Sequence, residues 1–134
     1  MREPRWLTRL MIDTIHSELL REHGGSPGVR DGGENLIESA LARPRNRLAY
    51  ESASDLADLA AAYLFGLVKN HGYMDGNKRI GFAAATTFLL LNGIRLMASE
   101  ADAYDTVIGL TEGRLSEEEV AQWIRGHSEP ARSG

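Results

Sequence analysis

A histidine, a carboxylate, a glycine and two cations stand within nine consecutive residues, His71-Gly72-Tyr73-Met74-Asp75-Gly76-Asn77-Lys78-Arg79. An imidazole, whose ordinary pKa is about 6.5, can accept a hydroxyl proton near neutral pH while that oxygen attacks phosphorus. A carboxylate such as Asp75, set beside bound phosphates, is the usual protein ligand of a magnesium ion that takes its other oxygens from water and nucleotide. Gly76 permits close backbone approach. Successive N–H groups from Gly76 onward can cradle phosphate oxygens at the positive end of a helix dipole, and Lys78 and Arg79 add charge that offsets the ligand's own. The chemistry this set implies is group transfer from a nucleotide to a hydroxyl. Taken singly the residues say less: a histidine at a helix end is often a cap, and a GNKR start is often a solvated first turn. Their convergence at one helix start is what points to a site. The stretch is not a Walker A loop, since Gly72 and Gly76 are too close and Asn77 precedes Lys78, and the HRD and DFG signatures of protein kinases are absent.

Two helices must flank and position this turn. Before it, Leu56, Leu59, Ala60, Tyr63, Leu64, Leu67 and Val68 follow the i, i+3, i+4, i+7 pattern, with Ser54 expected as the cap. After it, residues 77–92 begin polar and become apolar on nearly every side, the pattern of a buried central helix that ends at Gly93. A first helix is expected over residues 7–23, with Leu7, Met11, Ile15 and Leu19 on one face and Gly24-Gly25 as its stop. The segment GGSPGVRDGG, residues 24–33, is a loop or short flap. Leu36, Ile37, Ala40 and Leu41 predict a short second helix that stops at Pro44. A fifth helix starts at Ser99 with Asp102 at N3 and is expected to bury Tyr104, Val107 and Ile108. The sixth opens with the Ser116/Glu119 capping box, with Leu115 and Val120 as its staple. The expected architecture is all-α: about six helices in a single domain over residues 1–126, followed by a mobile tail over residues 127–134.

Composition is consistent with this reading. The 134 residues suffice for one core without disulfides or a structural metal, and 43% hydrophobic with 25% charged residues is ordinary globular usage. Fifteen basic against nineteen acidic residues leave a net charge of -4, which argues against direct nucleic-acid or anionic-lipid binding. Basic patches remain possible at Arg43, Arg45 and Arg47, and around Lys69, Lys78 and Arg79, where a small anion fits. With no cysteine there is no thiolate nucleophile, and the expected setting is a reducing cytoplasm without a membrane span.

The nine-residue segment also resembles the motif of the Fic/Doc family, H-x-F-x-D/E-G/A-N-x-R, with Tyr73 at the aromatic position. GGSPGVRD, LIESALARPRNRLAYE (residues 36–51) and TFLLLNG (residues 87–93) resemble the Doc branch, so the likeness covers most of residues 24–96. The resemblance implies an all-helical fold with the motif loop and its helix at the centre. It also implies a flap, here Ser26, Pro27, Gly28, Val29, Arg30 and Asp31, that positions the target segment. By the motif match, His71 is the general base and Asp75 the Mg2+ ligand. Gly76 and Asn77 belong to the phosphate loop, and Lys78 and Arg79 bind and stabilise the transferring charge of ATP.

AMP-transferring relatives typically carry GNGR and a second arginine three residues later; here Lys78 replaces that glycine and Phe82 that arginine. Both departures resemble the Doc pattern, which implies transfer of the terminal phosphate of ATP to a threonine of elongation factor Tu, with arrest of translation. Ala83 stands where Doc has an asparagine, and Gly72 where the AMP-transferring branch commonly has proline. The inhibitory S/T-x-x-x-E-G/N element is missing: Arg30 precedes Glu34-Asn35, and Ile108 precedes Glu112-Gly113. The resemblance therefore implies restraint in trans by an antitoxin whose disordered tail folds onto this protein. The rival readings are nucleotidyl transfer on the same scaffold and a non-catalytic helical interaction module.

Overall fold

The computed structural model describes residues 3–132. Six helices run in the order α1 (Arg9–His23), α2 (Gly33–Tyr50), α3 (Leu56–Asn70), α4 (Asn77–Leu91), α5 (Glu100–Thr111) and α6 (Glu117–Gly126), with two short strands, β1 (Ile94–Leu96) and β2 (Ser128–Pro130). The centre is α3, whose Leu59, Ala60, Ala61, Ala62 and Tyr63 are wholly buried. It packs against α2, α4 and α6. Small side chains on α3 let its neighbours come close: a Cβ on Gly66 would lie 3.1 Å from the Ala40 Cα of α2. Tyr63 meets Phe88 of α4 at 5.0 Å between ring centroids, and its hydroxyl accepts the Leu7 N–H at 3.0 Å, anchoring the chain as it enters α1.

The expected helix starts at Ser99 and Ser116 are present. Each serine accepts an N3 amide, and Glu119 closes the box on Ser116. At α3 the cap is Asp55, not Ser54, because Asp55 finds a reciprocal partner three residues on in Asp58, whereas Ser54 would face Ala57. The second helix does not stop at Pro44 but continues to Tyr50 with Pro44 buried inside it. Proline forfeits one helical hydrogen bond. Here burial of Ile37, Ala40 and Leu41 before it is joined by ion pairs on either side of it that hold the helix in line: Arg43, just before it, and Arg47, one turn after it, reach Glu117 at 2.6 and 2.7 Å, and Arg47 reaches Glu118 at 2.7 Å. The same pairs remove Arg43 and Arg47 from service as an anion patch, since the acidic first turn of α6 already occupies them.

On α1, Met11, Ile15 and Leu19 pack against the core as their spacing predicts, with Ile12 and His16 deepest and Leu7, just before the helix, also buried. Two further expectations are corrected. On α5, Val107 is buried but Tyr104 is exposed and Ile108 half-buried, because both border an open groove rather than the core. In the supposed mobile tail, Ser128–Pro130 pairs antiparallel with Ile94–Leu96. The His127 carbonyl accepts the Met97 N–H, the Gly93 carbonyl accepts the Ala131 N–H, and Ser128 Oγ donates to the Ile124 carbonyl. Residues 133–134 of that segment lie outside the described residues.

Candidate active site

Between α3 and α4 the chain makes a turn held by Asn77. Its side chain accepts the Tyr73 N–H and donates to the Tyr73 carbonyl, each at 3.0 Å, and it is 5% exposed. Asn77 thus spends its amide on clamping the turn, which leaves its backbone N–H for a ligand. Gly76 caps α4 in the left-handed conformation (φ 77°) with no side-chain cap. The first intrahelical bond is that from Ile80 N–H to the Gly76 carbonyl at 2.9 Å, so the amides of Asn77, Lys78 and Arg79 have no intrahelical acceptor. Helices α1, α3, α5 and α6 all cover that end with a side chain.

Those amides open onto a groove of about 1050 Å³ between α4 and α5. His71, Asp75, Lys78 and Arg79 line it together with Phe82, Leu96, Tyr104 and Ile108. Among the described residues neither Lys78 nor Arg79 forms an ion pair, and both are exposed. Asp75 accepts the Gly76 N–H at 2.9 Å and, from segment 26–31, the Ser26 N–H at 3.3 Å. No cluster of three or more metal-ligating side chains occurs among the described residues. One exposed carboxylate beside open amides and cations suits a hard cation that brings its remaining oxygens from phosphate and water.

His71 is the C-cap of α3 and the only non-glycine residue at positive φ among those described (φ 53°, ψ 49°). This conformation costs an L-residue roughly 1–2 kcal/mol and turns the chain out of α3 into the site. Segment 26–31 lies directly against it. Val29 bridges Tyr73 antiparallel, the Gly28 carbonyl accepts the Met74 N–H, and the Gly72 carbonyl accepts the Arg30 N–H. The Arg30 guanidinium donates to the His71 carbonyl at 2.8 Å. Val29, Arg30 and Asp31, with His71 and Met74, line a second hollow of about 570 Å³, while Pro27 is exposed at the edge. The close approach of the first turn of α2 to this turn requires glycine twice. A Cβ on Gly33 would fall 2.2 Å from the Gly72 carbonyl oxygen, and one on Gly72 would fall 2.6 Å from Ile37 Cγ1.

His71, Asp75, Gly76, Lys78 and Arg79 therefore line one groove, and the flap lies against the turn that carries them. A sequence model of the Fic/DOC family matches residues 6–89, which include α1, the flap and the whole turn. The chain belongs to the Fic/DOC family. Among its relatives, the protein kinase doc of Escherichia phage P1 is 33% identical over 111 residues, 83% of this chain and 86% of the phage protein. The toxin Doc of Mycolicibacterium smegmatis is 36% identical over 114 residues, again 83% of this chain and 86% of the relative. As expected of a Fic/DOC chain, the architecture is essentially all-helical, with one two-stranded sheet added. No helix among the described residues is long and apolar enough to cross a membrane.

Sequence reasoning did not single out the residues behind this Fic/DOC turn. His16 of α1, 4% exposed, donates from Nε2 to the Asp75 carbonyl at 2.8 Å and stacks on Tyr73 at 3.8 Å. The Tyr73 hydroxyl donates to Asp13 at 2.7 Å, Asp13 pairs with Arg9, and Arg9 forks onto Glu34 at the start of α2. Burial, and then Asp13, push the Tyr73 phenol well above its ordinary range, so it remains a donor. Beside Glu34 the Arg9 guanidinium stays charged at any working pH, and it draws the exposed Glu34 carboxyl below its usual value. The available signal was a polar residue, His16, four positions from Ile12 on the inward face of α1.

Proposed function

We propose that this chain is a Doc-like toxin that transfers the terminal phosphate of ATP to a Ser or Thr hydroxyl of a target protein. Elongation factor Tu is the expected target, and a partner antitoxin acts in the cytoplasm to restrain the reaction. The observation that carries the reading is the place of His71, which borders both the cation-headed groove and the smaller flap-side hollow. A donor phosphate in the first and an acceptor hydroxyl in the second would meet at the imidazole.

The work of each residue follows from chemistry. Gly76 and the amides of Asn77, Lys78 and Arg79 hold phosphate oxygens without having to reorganise. Lys78 and Arg79 offset the charge that spreads over the phosphoryl oxygens as the bond to the leaving oxygen lengthens. His71 takes the hydroxyl proton as the new oxygen–phosphorus bond forms, leaving a phosphomonoester and ADP. Asp75 would hold Mg2+, whose contribution when bound is to neutralise phosphate charge. Ser26, Val29, Arg30 and Asp31 align the target segment, and the likeness to a relative named protein kinase doc favours phosphate over AMP as the transferred group.

The test is the intact mass of elongation factor Tu, and of other candidate acceptors, after incubation with the protein, ATP and magnesium. One added phosphate is expected. An added AMP would assign nucleotidyl transfer, and no added mass with any acceptor would leave a non-catalytic module. His71→Ala should abolish both the mass shift and growth inhibition in a bacterial host. Lys78→Gly should impair phosphate transfer and admit some AMP transfer, because a long cation fills space the phosphate chain would otherwise occupy.

A further inference from the structure

The peptide joining Asp75 to Gly76 is the hinge of the site, because its neighbours on both sides carry the phosphate chemistry. A trans peptide directs its carbonyl and its N–H in opposite senses. Whatever holds the Asp75 carbonyl therefore also aims the Gly76 N–H, which donates to Asp75 Oδ1 at 2.9 Å. The carbonyl is held by His16. A carbonyl only accepts, so the 2.8 Å contact places the proton on His16 Nε2. The ring cannot swing away, since it is 4% exposed, lies flat on Tyr73 at a 17° interplanar angle, and packs 3.5 Å from where a Cβ on Gly76 would be. Tyr73 is fixed in turn by Asn77 through its backbone and by Asp13 through its hydroxyl.

We propose that His16 is a positioning residue: by donating to the Asp75 carbonyl it locks the Asp75–Gly76 peptide, and with it the Asp75 carboxylate and the first amides of α4, in the orientation that receives phosphate. The meaning of that orientation rests on the transferase reading above, whereas the lock itself can be tested without it. Without the donor, this glycine-containing peptide is free to rotate, and the Gly76 N–H loses its alignment with the carboxylate. His16→Phe removes the donor but keeps a flat ring on Tyr73. His16→Gln keeps a donor at nearly the same reach.

The experiment uses the full chain and two readouts. In the ligand-free protein, NMR-detected hydrogen exchange at the Gly76 amide should quicken about tenfold in H16F, the effect of losing roughly one buried hydrogen bond. It should return to within about threefold of the parent in H16Q. Calorimetric titration with ATP and magnesium, at a temperature where all three proteins remain folded, should weaken about tenfold in H16F and recover in H16Q. If H16F fails to fold, H16L is the donor-free variant. Unchanged Gly76 exchange in the donor-free variant, or equal impairment in H16Q and the donor-free variant, would overturn the proposal. A parent chain that binds no ATP with magnesium would instead overturn the transferase reading, and the exchange result would still decide the role of His16.

Discussion

Replacing Asn77 with alanine separates two roles that its place in the motif leaves entangled: direct contact with phosphate and clamping of the turn. Its side chain makes two hydrogen bonds, both to the backbone of Tyr73 and both 3.0 Å long, where Tyr73 is 3% exposed. Each bond contributes about 0.5–1.5 kcal/mol, and stranding the buried N–H and carbonyl of Tyr73 adds to the loss, for a total of about 2–4 kcal/mol. That is a large share of the roughly 5–15 kcal/mol by which domains are stable. In urea, with a slope near 2 kcal/mol per molar for a chain of this size, the midpoint of Asn77→Ala should fall by about 1–2 M at unchanged slope. Asn77→Asp should fall comparably, since it keeps the acceptor but turns an oxygen toward the Tyr73 carbonyl. An Asn77→Ala protein with the parent's urea midpoint would refute the clamp and return the side chain to direct phosphate contact.

Acid should expose the worth of the α3 cap. The Arg125 guanidinium at 2.8 Å holds the Asp55 carboxyl down at about 2, below its usual 3.8. The stabilisation is therefore complete above about pH 4 and is lost as pH falls through about 2. Asp55 is half exposed, so screening limits the term to about 1 kcal/mol. Asp55→Asn keeps the cap, and should be less stable by that amount at pH 7. Its gap from the parent should close by pH 2; a gap unchanged in urea melts at pH 7 and pH 2 would contradict the pairing. Gly33→Ala should cost about 1–3 kcal/mol through overpacking against Gly72, and should speed exchange at the Arg30 and Met74 amides. Normal protection at both amides would show that the flap does not need this close approach.

Much of the scaffold was legible because its signals are local. The apolar spacing of α3, the Ser99 and Ser116 starts and the glycine stops after α1 and α4 lie within a turn or two of the structure they specify. The misreadings came where distant partners decide. Pro44 is carried through α2 by Glu117 and Glu118, more than seventy residues away. Tyr104 satisfies a helical pattern yet borders the groove, since periodicity marks a face without saying what covers it. The C-terminal strand exists because Ile94–Leu96 offers it an edge. At the site, the residue types and their convergence were readable, but the division of labour was not. Asn77 reads as one more phosphate-loop residue until its bonds to Tyr73 are seen, and the contact from His16 spans 59 positions.

The backbone angle at His71 has a consequence for how defective alleles would look in a cell. Folding alone would favour glycine at that left-handed helix cap, so His71→Gly should keep or slightly raise the melting temperature while removing the imidazole. Inactive proteins altered at position 71 should then accumulate as abundant, intact molecules. Those altered at Gly33 or Asn77 should be thinned by proteolysis. An immunoblot of variants that lack the proposed activity would sort silenced chemistry from broken architecture by band intensity alone.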